Sequence, residues 1–169
     1  AVDGARTAAV IGGGFIGIEM AENLVRRGMA VAIVEATAQV MAPLDPEMVE
    51  PVHAQLRRRG VALHLESAVT GIESDAVILS TGERLPADVV IAAIGVRPET
   101  GLAVDAGLAI GPRGGIAVDD TFRTSDPAIF AVGDAVEKRD ALDGSDVLVP
   151  LANTANRQGK RKRTRGGFG

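Results

Sequence analysis

Three glycines and one acid carry the most chemistry in this chain. Residues Gly12-Gly13-Gly14-Phe15-Ile16-Gly17 read G-x-G-x-x-G, and Glu35 follows 18 residues after the third glycine. Gly12 permits a tight turn, Gly14 lets backbone approach a pyrophosphate, and Gly17 lets a helix pack on a strand without an intervening Cβ. An anion held there would rest on the exposed amides of a helix N-terminus, with Gly13, Phe15 and Ile16 completing the loop. Glycines used only for turning would leave the same string. Glu35 can accept hydrogen bonds from adenosine ribose hydroxyls and would repel a 2′-phosphate. The next residues, Ala36-Thr37-Ala38-Gln39, offer no Arg or Lys to receive one. The pair favours NAD(H) over NADP(H). A solvated acid at a strand end is the other reading of Glu35.

The motif gains weight from the elements around it. Thr7 to Ile11 is a short apolar run before the glycines, as in a buried strand. From Phe15 to Arg27 the spacing of Ile16, Met20 and Leu24 is helical, and Gly28 follows as a C-terminal glycine would. Val31 to Glu35 is a second buried strand, so the first 35 residues form a parallel βαβ unit. Asp45 to Arg59 reads as a second helix, with Asp45-Pro46 at its start and Gly60 at its end. Val61 to Leu65 is a third strand.

The period then changes. Ala68 to Glu73, Ala76 to Ser80 and Arg84 to Ile94 are joined by short Asp- or Gly-containing links, as in a β-meander. Val89 to Ile94 is apolar without alternation and is expected at the centre of the main sheet. From Val96 the chain is loop-rich, with strand candidates at Gly115 to Val118 and Ala128 to Val132. The fold expected is α/β: a Rossmann-like parallel sheet with a three-stranded β-meander.

Composition narrows the functional classes. The chain has 169 residues, 46% of them apolar, net charge -4, no Cys, no Trp and no Tyr. The absence of cysteine excludes a disulfide scaffold, a Cys zinc site and a thiol nucleophile within these residues. No apolar run approaches the ~20 residues of a membrane span, and no signal peptide is visible, so a cytoplasmic protein without membrane partners is expected. Residues 160–169 hold five basic residues and no acid, so the rest of the chain is more acidic than the net charge indicates. Such a body repels a nucleic-acid backbone. The basic end reads as a disordered tail, or as a segment seeking an acidic partner. His53 and His64 lack carboxylate neighbours in a metal-binding pattern, and no metal ligand or catalytic residue is assigned. Glu19, in the helix after the glycine loop, suits the helix N-terminus, and its residue type alone decides nothing further.

Five strings in order carry a family resemblance: Gly12 to Leu24, Pro43 to Met48, Ala93 to Pro98, Thr124 to Asp134 and Pro150 to Gly159. Together they resemble the flavin-dependent pyridine nucleotide–disulfide oxidoreductases, in the branch of NADH oxidases and coenzyme A-disulfide reductases. The resemblance implies an NAD(H)-binding domain over residues 1–114, and a returning segment of an FAD-binding domain over 115–159. Residues 160–169 form the tail. It further implies that Gly12, Gly14 and Gly17 hold the NAD pyrophosphate and Glu35 the adenosine ribose, and that Glu19 lies near the nicotinamide amide. Gly95 would lie beside the dinucleotide. Asp134, in the Gly133-Asp134 pair, would bond the flavin, and Pro150 to Ala152 would approach its ring.

The family's first FAD half, its redox cysteine and its dimerisation domain find no counterpart in these residues. The resemblance therefore implies the NADH-binding part of an oxidoreductase that passes hydride to FAD and on to a disulfide, oxygen or a redox partner. Alone, this part would bind NADH without turning over. A self-contained Rossmann enzyme, such as a short dehydrogenase or methyltransferase, is the alternative. Ala128 to Val132, lacking its FAD-domain neighbour, is expected to be disordered, repacked on the NAD domain, or paired with another copy of the chain.

Overall fold

The computed structural model describes residues 2–165, and the chain forms two compact units that divide between Gly95 and Val96. The sequence boundary at residue 114 had placed the intervening segment with the first unit. The first unit runs β1 (Thr7–Ile11), α1 (Phe15–Arg26), β2 (Ala30–Val34), α2 (Pro46–Arg58), β3 (Ala62–His64), β4 (Val69–Ile72), β5 (Ala76–Leu79), β6 (Arg84–Pro86) and β7 (Val89–Ala92). The second holds α3 (Gly101–Asp105), β8 (Ile116–Ala117), β9 (Val136–Arg139), β10 (Asp146–Leu148) and α4 (Ala152–Arg165).

In the first unit the parallel sheet has the order β3-β2-β1-β7, and the meander the order β4-β5-β6. The register of β1 on β2 runs from Thr7↔Ala30 to Ile11↔Val34. Alternation along the strands explains the layers, since successive side chains leave opposite faces. Ala8, Val10, Val31 and Ile33 face α1 and α2, where they meet Ala21, Leu24, Val49 and Leu56. Ala9 and Val34 face the meander and meet Val77, Leu79 and Leu85. Both faces of the sheet are thus covered, which is why its strands read as apolar runs. Each fully buried Val or Ile contributes about 1.5–3 kcal/mol.

Two expectations about this unit need correction. Val89 to Ile94 does not lie at the sheet centre: β7 pairs with β1 alone and ends the strand order, because β2 already occupies the other side of β1. Nor is Arg84 to Ile94 one strand. It breaks at Ala87-Asp88, where the Asp88 carboxylate accepts from the N–H groups of Arg6 and Thr7, at 2.8 and 2.9 Å, and from the Thr7 hydroxyl. That clamp fastens the start of β7 to the start of β1.

The second unit departs further from expectation. The candidate Gly115 to Val118 shortens to β8. Ala128 to Val132 is not a strand; Phe130 makes one isolated bridge with Arg123. The Thr124 hydroxyl contacts the carbonyls of Asp126 and Ile129, and Asp126 accepts from the Ala128 N–H, so side chains hold this segment in a turn. The strand expected at Ala128 to Val132 is therefore not formed. β9, β10 and α3 were not anticipated. Helix α4 runs through residues 160–165, read from sequence as a disordered tail; residues 166–169 lie outside the described residues. Among the described residues no helix is long and apolar enough to cross a membrane.

Candidate functional site

The site grows from the junction of β1 and α1. Gly12 closes β1 at φ +102, in the left-handed region, and its N–H still donates to the Val34 carbonyl at 2.8 Å. A Cβ on Gly12 would lie 2.5 Å from the Ala93 carbonyl oxygen, so the backbone just past β7 leaves it no room. A Cβ on Gly17 would overlap the Gly12 carbonyl, and one on Gly13 would press on Val40 at 2.8 Å. Gly14 is different: a Cβ there would meet no atom within 4 Å. Three glycines answer to the protein's own packing, while the fourth faces open space.

Helix α1 begins at this open position. Its N-cap is Gly14, in extended conformation, with no side-chain cap and no acid in the first turn. The first helical bond runs from the Ile18 N–H to the Gly14 carbonyl at 3.0 Å. The amides of Phe15, Ile16 and Gly17 are therefore left for an acceptor outside the helix, with the positive end of the macrodipole behind them.

Glu35 stands opposite, just past β2. Its Oε2 accepts from the Gly13 N–H at 2.7 Å, and its Oε1 from the Thr37 N–H and hydroxyl, both at 2.9 Å. Burial pushes this carboxyl up, but the bonds from Gly13, Thr37 and the Ala36 N–H outweigh it and hold Glu35 below its ordinary value. The carboxylate is thus charged at neutral pH. The loop after Glu35 is fixed in turn: Met41 donates to the Gly13 carbonyl at 2.9 Å, and the Val40 N–H to Nε2 of buried His53 at 3.2 Å. His53 accordingly carries its proton on Nδ1 and serves the loop. His64 faces Glu83 at 3.5 Å.

These pieces enclose one cavity of about 1040 Å³. Gly12, Gly14, Phe15, Ile16, Glu35 and Gly95 all line it, so six of the residues singled out from sequence converge. Gly13 and Gly17 lie buried behind the wall and shape it. Glu19 is exposed on α1 and is not part of the lining. Gly133 and Asp134 belong to the second unit. There the Gly133 N–H donates to the Oε1 of buried Gln158 at 2.7 Å, tying the Gly133-Asp134 turn to α4. Asp134 is exposed.

Sequence reasoning missed the segment from Ser67 to Ile72, which forms another wall. It also missed Thr37, and Gln158 on α4. The Ser67 segment carries no motif; the Ser67 N–H donates to the Glu35 carbonyl at 3.0 Å, and that backbone pairing delivers it. A wall of glycine backbone, unspent amides and a carboxylate, with apolar Phe15, Ile16 and Ile94 beside them, suits a dinucleotide. The amides fit its phosphates, the acid its ribose, and the apolar surface its rings.

A parallel sheet with a glycine loop at its carboxyl end defines a Rossmann-type dinucleotide-binding protein. The comparison with known proteins takes the assignment one step further. The family model for pyridine nucleotide-disulphide oxidoreductases matches residues 2–159, and this chain belongs to that family. The NADH oxidase of Methanocaldococcus jannaschii is 40% identical over 162 residues, covering 94% of this chain and 36% of that protein. The structure of reduced Bacillus anthracis CoADR-RHD superposes with a TM-score of 0.90 at 48% identity, covering 94% of this chain and 29% of that one. An NAD-dependent persulfide reductase from A. fulgidus superposes at 0.93 with 39% identity, covering 99% and 32%. The chain therefore spans about a third of the length of these relatives. The family match sets aside the self-contained dehydrogenase or methyltransferase.

Proposed function

We propose that this chain is the NADH-binding portion of a flavin-dependent oxidoreductase. On its own it binds NADH and does not turn it over. The observation that carries the reading is the cavity itself: charged Glu35 and the unspent amides at the start of α1 line one space, and Gly14 opens into it. The pyrophosphate rests on the amides of Phe15 and Ile16, the adenosine ribose on Glu35, and Gly95 lies beside the dinucleotide. Glu19, exposed on α1 and outside the lining, is assigned a place near the nicotinamide amide.

FAD supplies the hydride acceptor when bound, with Gly133, Asp134 and Pro150 to Ala152 as this chain's contribution to it. Bonding of Gly133 to Gln158 keeps that turn in place. In the whole enzyme the final acceptor would be a disulfide, oxygen or a redox partner. Residues 1–114 serve NAD(H) and 115–159 the flavin domain, in a cytoplasmic enzyme whose remaining FAD and dimerisation domains complete it.

Calorimetric titration of the chain with NADH and with NADPH tests the cofactor. Saturable NADH binding, weak NADPH binding and loss of the NADH signal in Glu35→Arg are expected. No NADH binding by the folded chain would overturn the reading. Rapid NADH oxidation without added protein or flavin would overturn the claim that the chain alone is inactive.

A further inference from the structure

The Glu35 carboxylate offers about four lone-pair positions, two on each oxygen. Oε1 has two donors, the N–H and the hydroxyl of Thr37, while Oε2 has one, the Gly13 N–H. The Ala36 N–H adds to these, so the Thr37 hydroxyl is the side-chain donor among donors that are otherwise backbone amides. The Thr37 hydroxyl also lies 2.8 Å from the Gln39 carbonyl. It has one hydrogen, and the charged carboxylate is the stronger acceptor. No ion pair reaches Glu35 among the described residues. His64, whose carbonyl accepts from the Glu35 N–H at 2.9 Å, faces Glu83 at 3.5 Å, and exposed Glu66 spends its N–H on the Thr37 carbonyl at 2.9 Å.

We propose that Thr37 is a positioning residue for cofactor selection: its hydroxyl, bonded to Oε1 at 2.9 Å, fixes the orientation in which the Glu35 carboxylate meets the ribose. The inference rests on the NADH-binding reading and adds a residue to it. Without the hydroxyl, Glu35 keeps only backbone donors and gains freedom to rotate about its side chain. A carboxylate that swings away both loses the ribose hydroxyl and stops opposing a 2′-phosphate. Affinity for NADH and discrimination against NADPH should then fall together, which loss of local packing alone would not cause.

Thr37 is exposed, and valine preserves its shape and its N–H while removing only the hydroxyl. Wild type, Thr37→Val and Thr37→Ser are titrated with NADH and NADPH by calorimetry, and Glu35 is titrated in each by carboxyl-detected NMR without nucleotide. Thr37→Val should bind NADH about tenfold more weakly, the loss of one charge-assisted bond, with a smaller NADH-to-NADPH ratio. Its Glu35 should protonate at higher pH than in wild type, and Thr37→Ser should restore all three properties. If Glu35 titrates alike in wild type and Thr37→Val, the proposal fails whatever happens to binding. It fails equally if NADH affinity is unchanged in a chain whose wild type binds NADH. A wild type that binds no NADH defeats the cofactor reading, and the proposed role of Thr37 in selection falls with it. The NMR titration then still reports whether Thr37 fixes Glu35.

Discussion

The two units of this chain are held together by different means. Nearly all the buried apolar side chains of the described residues belong to the first unit; the second contributes Ala103, Phe122 and Val136. What the second unit buries instead is polar: Thr124, Glu137 and Gln158, each bonded to backbone. Glu137 is the extreme case. It is 2% exposed, and its carboxylate accepts from the Arg113 N–H at 3.0 and 3.1 Å and from the Gly115 N–H at 3.0 Å. A Cβ on Gly111 or Gly115 would strike it. One unit thus folds around apolar strands covered on both faces, the other around side chains that clamp turns. Removing a clamp exposes a buried partner, whereas removing a methyl group leaves only a cavity.

Substitutions in the glycine loop test the first unit most severely. Gly17→Ala, whose Cβ overlaps the Gly12 carbonyl, and Gly12→Ala, strained at positive φ and against Ala93, should each destabilise the unit by about 3 kcal/mol or more. Thermal or urea unfolding measures this, and a native-like midpoint in either would show that the loop relaxes freely.

In the second unit the matching test is Glu137→Ala, which orphans the buried N–H of Gly115 and the part-buried N–H of Arg113. A cost of about 2 kcal/mol is expected, read as lost hydrogen-exchange protection at residues 111–117. Protection at β1 and β2 should stay unchanged. Uniform loss across both units would remove the distinction drawn between them.

Gly14→Ala sharpens the contrast within the loop. Its Cβ meets nothing in the protein, so stability should stay within about 0.5 kcal/mol of wild type. NADH affinity should nonetheless fall, because the methyl group enters the space where the pyrophosphate approaches. If NADH binding survives, the pyrophosphate does not cross Gly14.

The smallest effect concerns pH. Glu35 is held below its ordinary 4.5 in the folded chain, so its bonds to Gly13 and Thr37 contribute stability above that value. This contribution fades as pH falls through 4.5 toward the lower folded value. Glu35→Gln should flatten that part of a urea-midpoint profile below about pH 5. An unchanged slope would mean that the bonds do not persist in solution.

The sequence by itself determined the βαβ unit, the meander, the glycine loop and Glu35. In those stretches apolar residues recur at the strand and helix periods, and a loop that must turn, open and pack requires glycine at fixed spacing. It could not determine β9, β10 or the turn at Ala128 to Val132. There the backbone is held by Glu137, Thr124 and Asp126, whose partners are amides and carbonyls that carry no residue type. The same reason hid Thr37 and the Ser67 to Ile72 wall. Only tertiary structure decided that β7 ends the sheet, that Glu35 shares its carboxylate between Gly13 and Thr37, and that Gly14 alone of the loop glycines faces open space. Periodicity reports how a segment buries its side chains; it does not report which distant backbone a side chain will find.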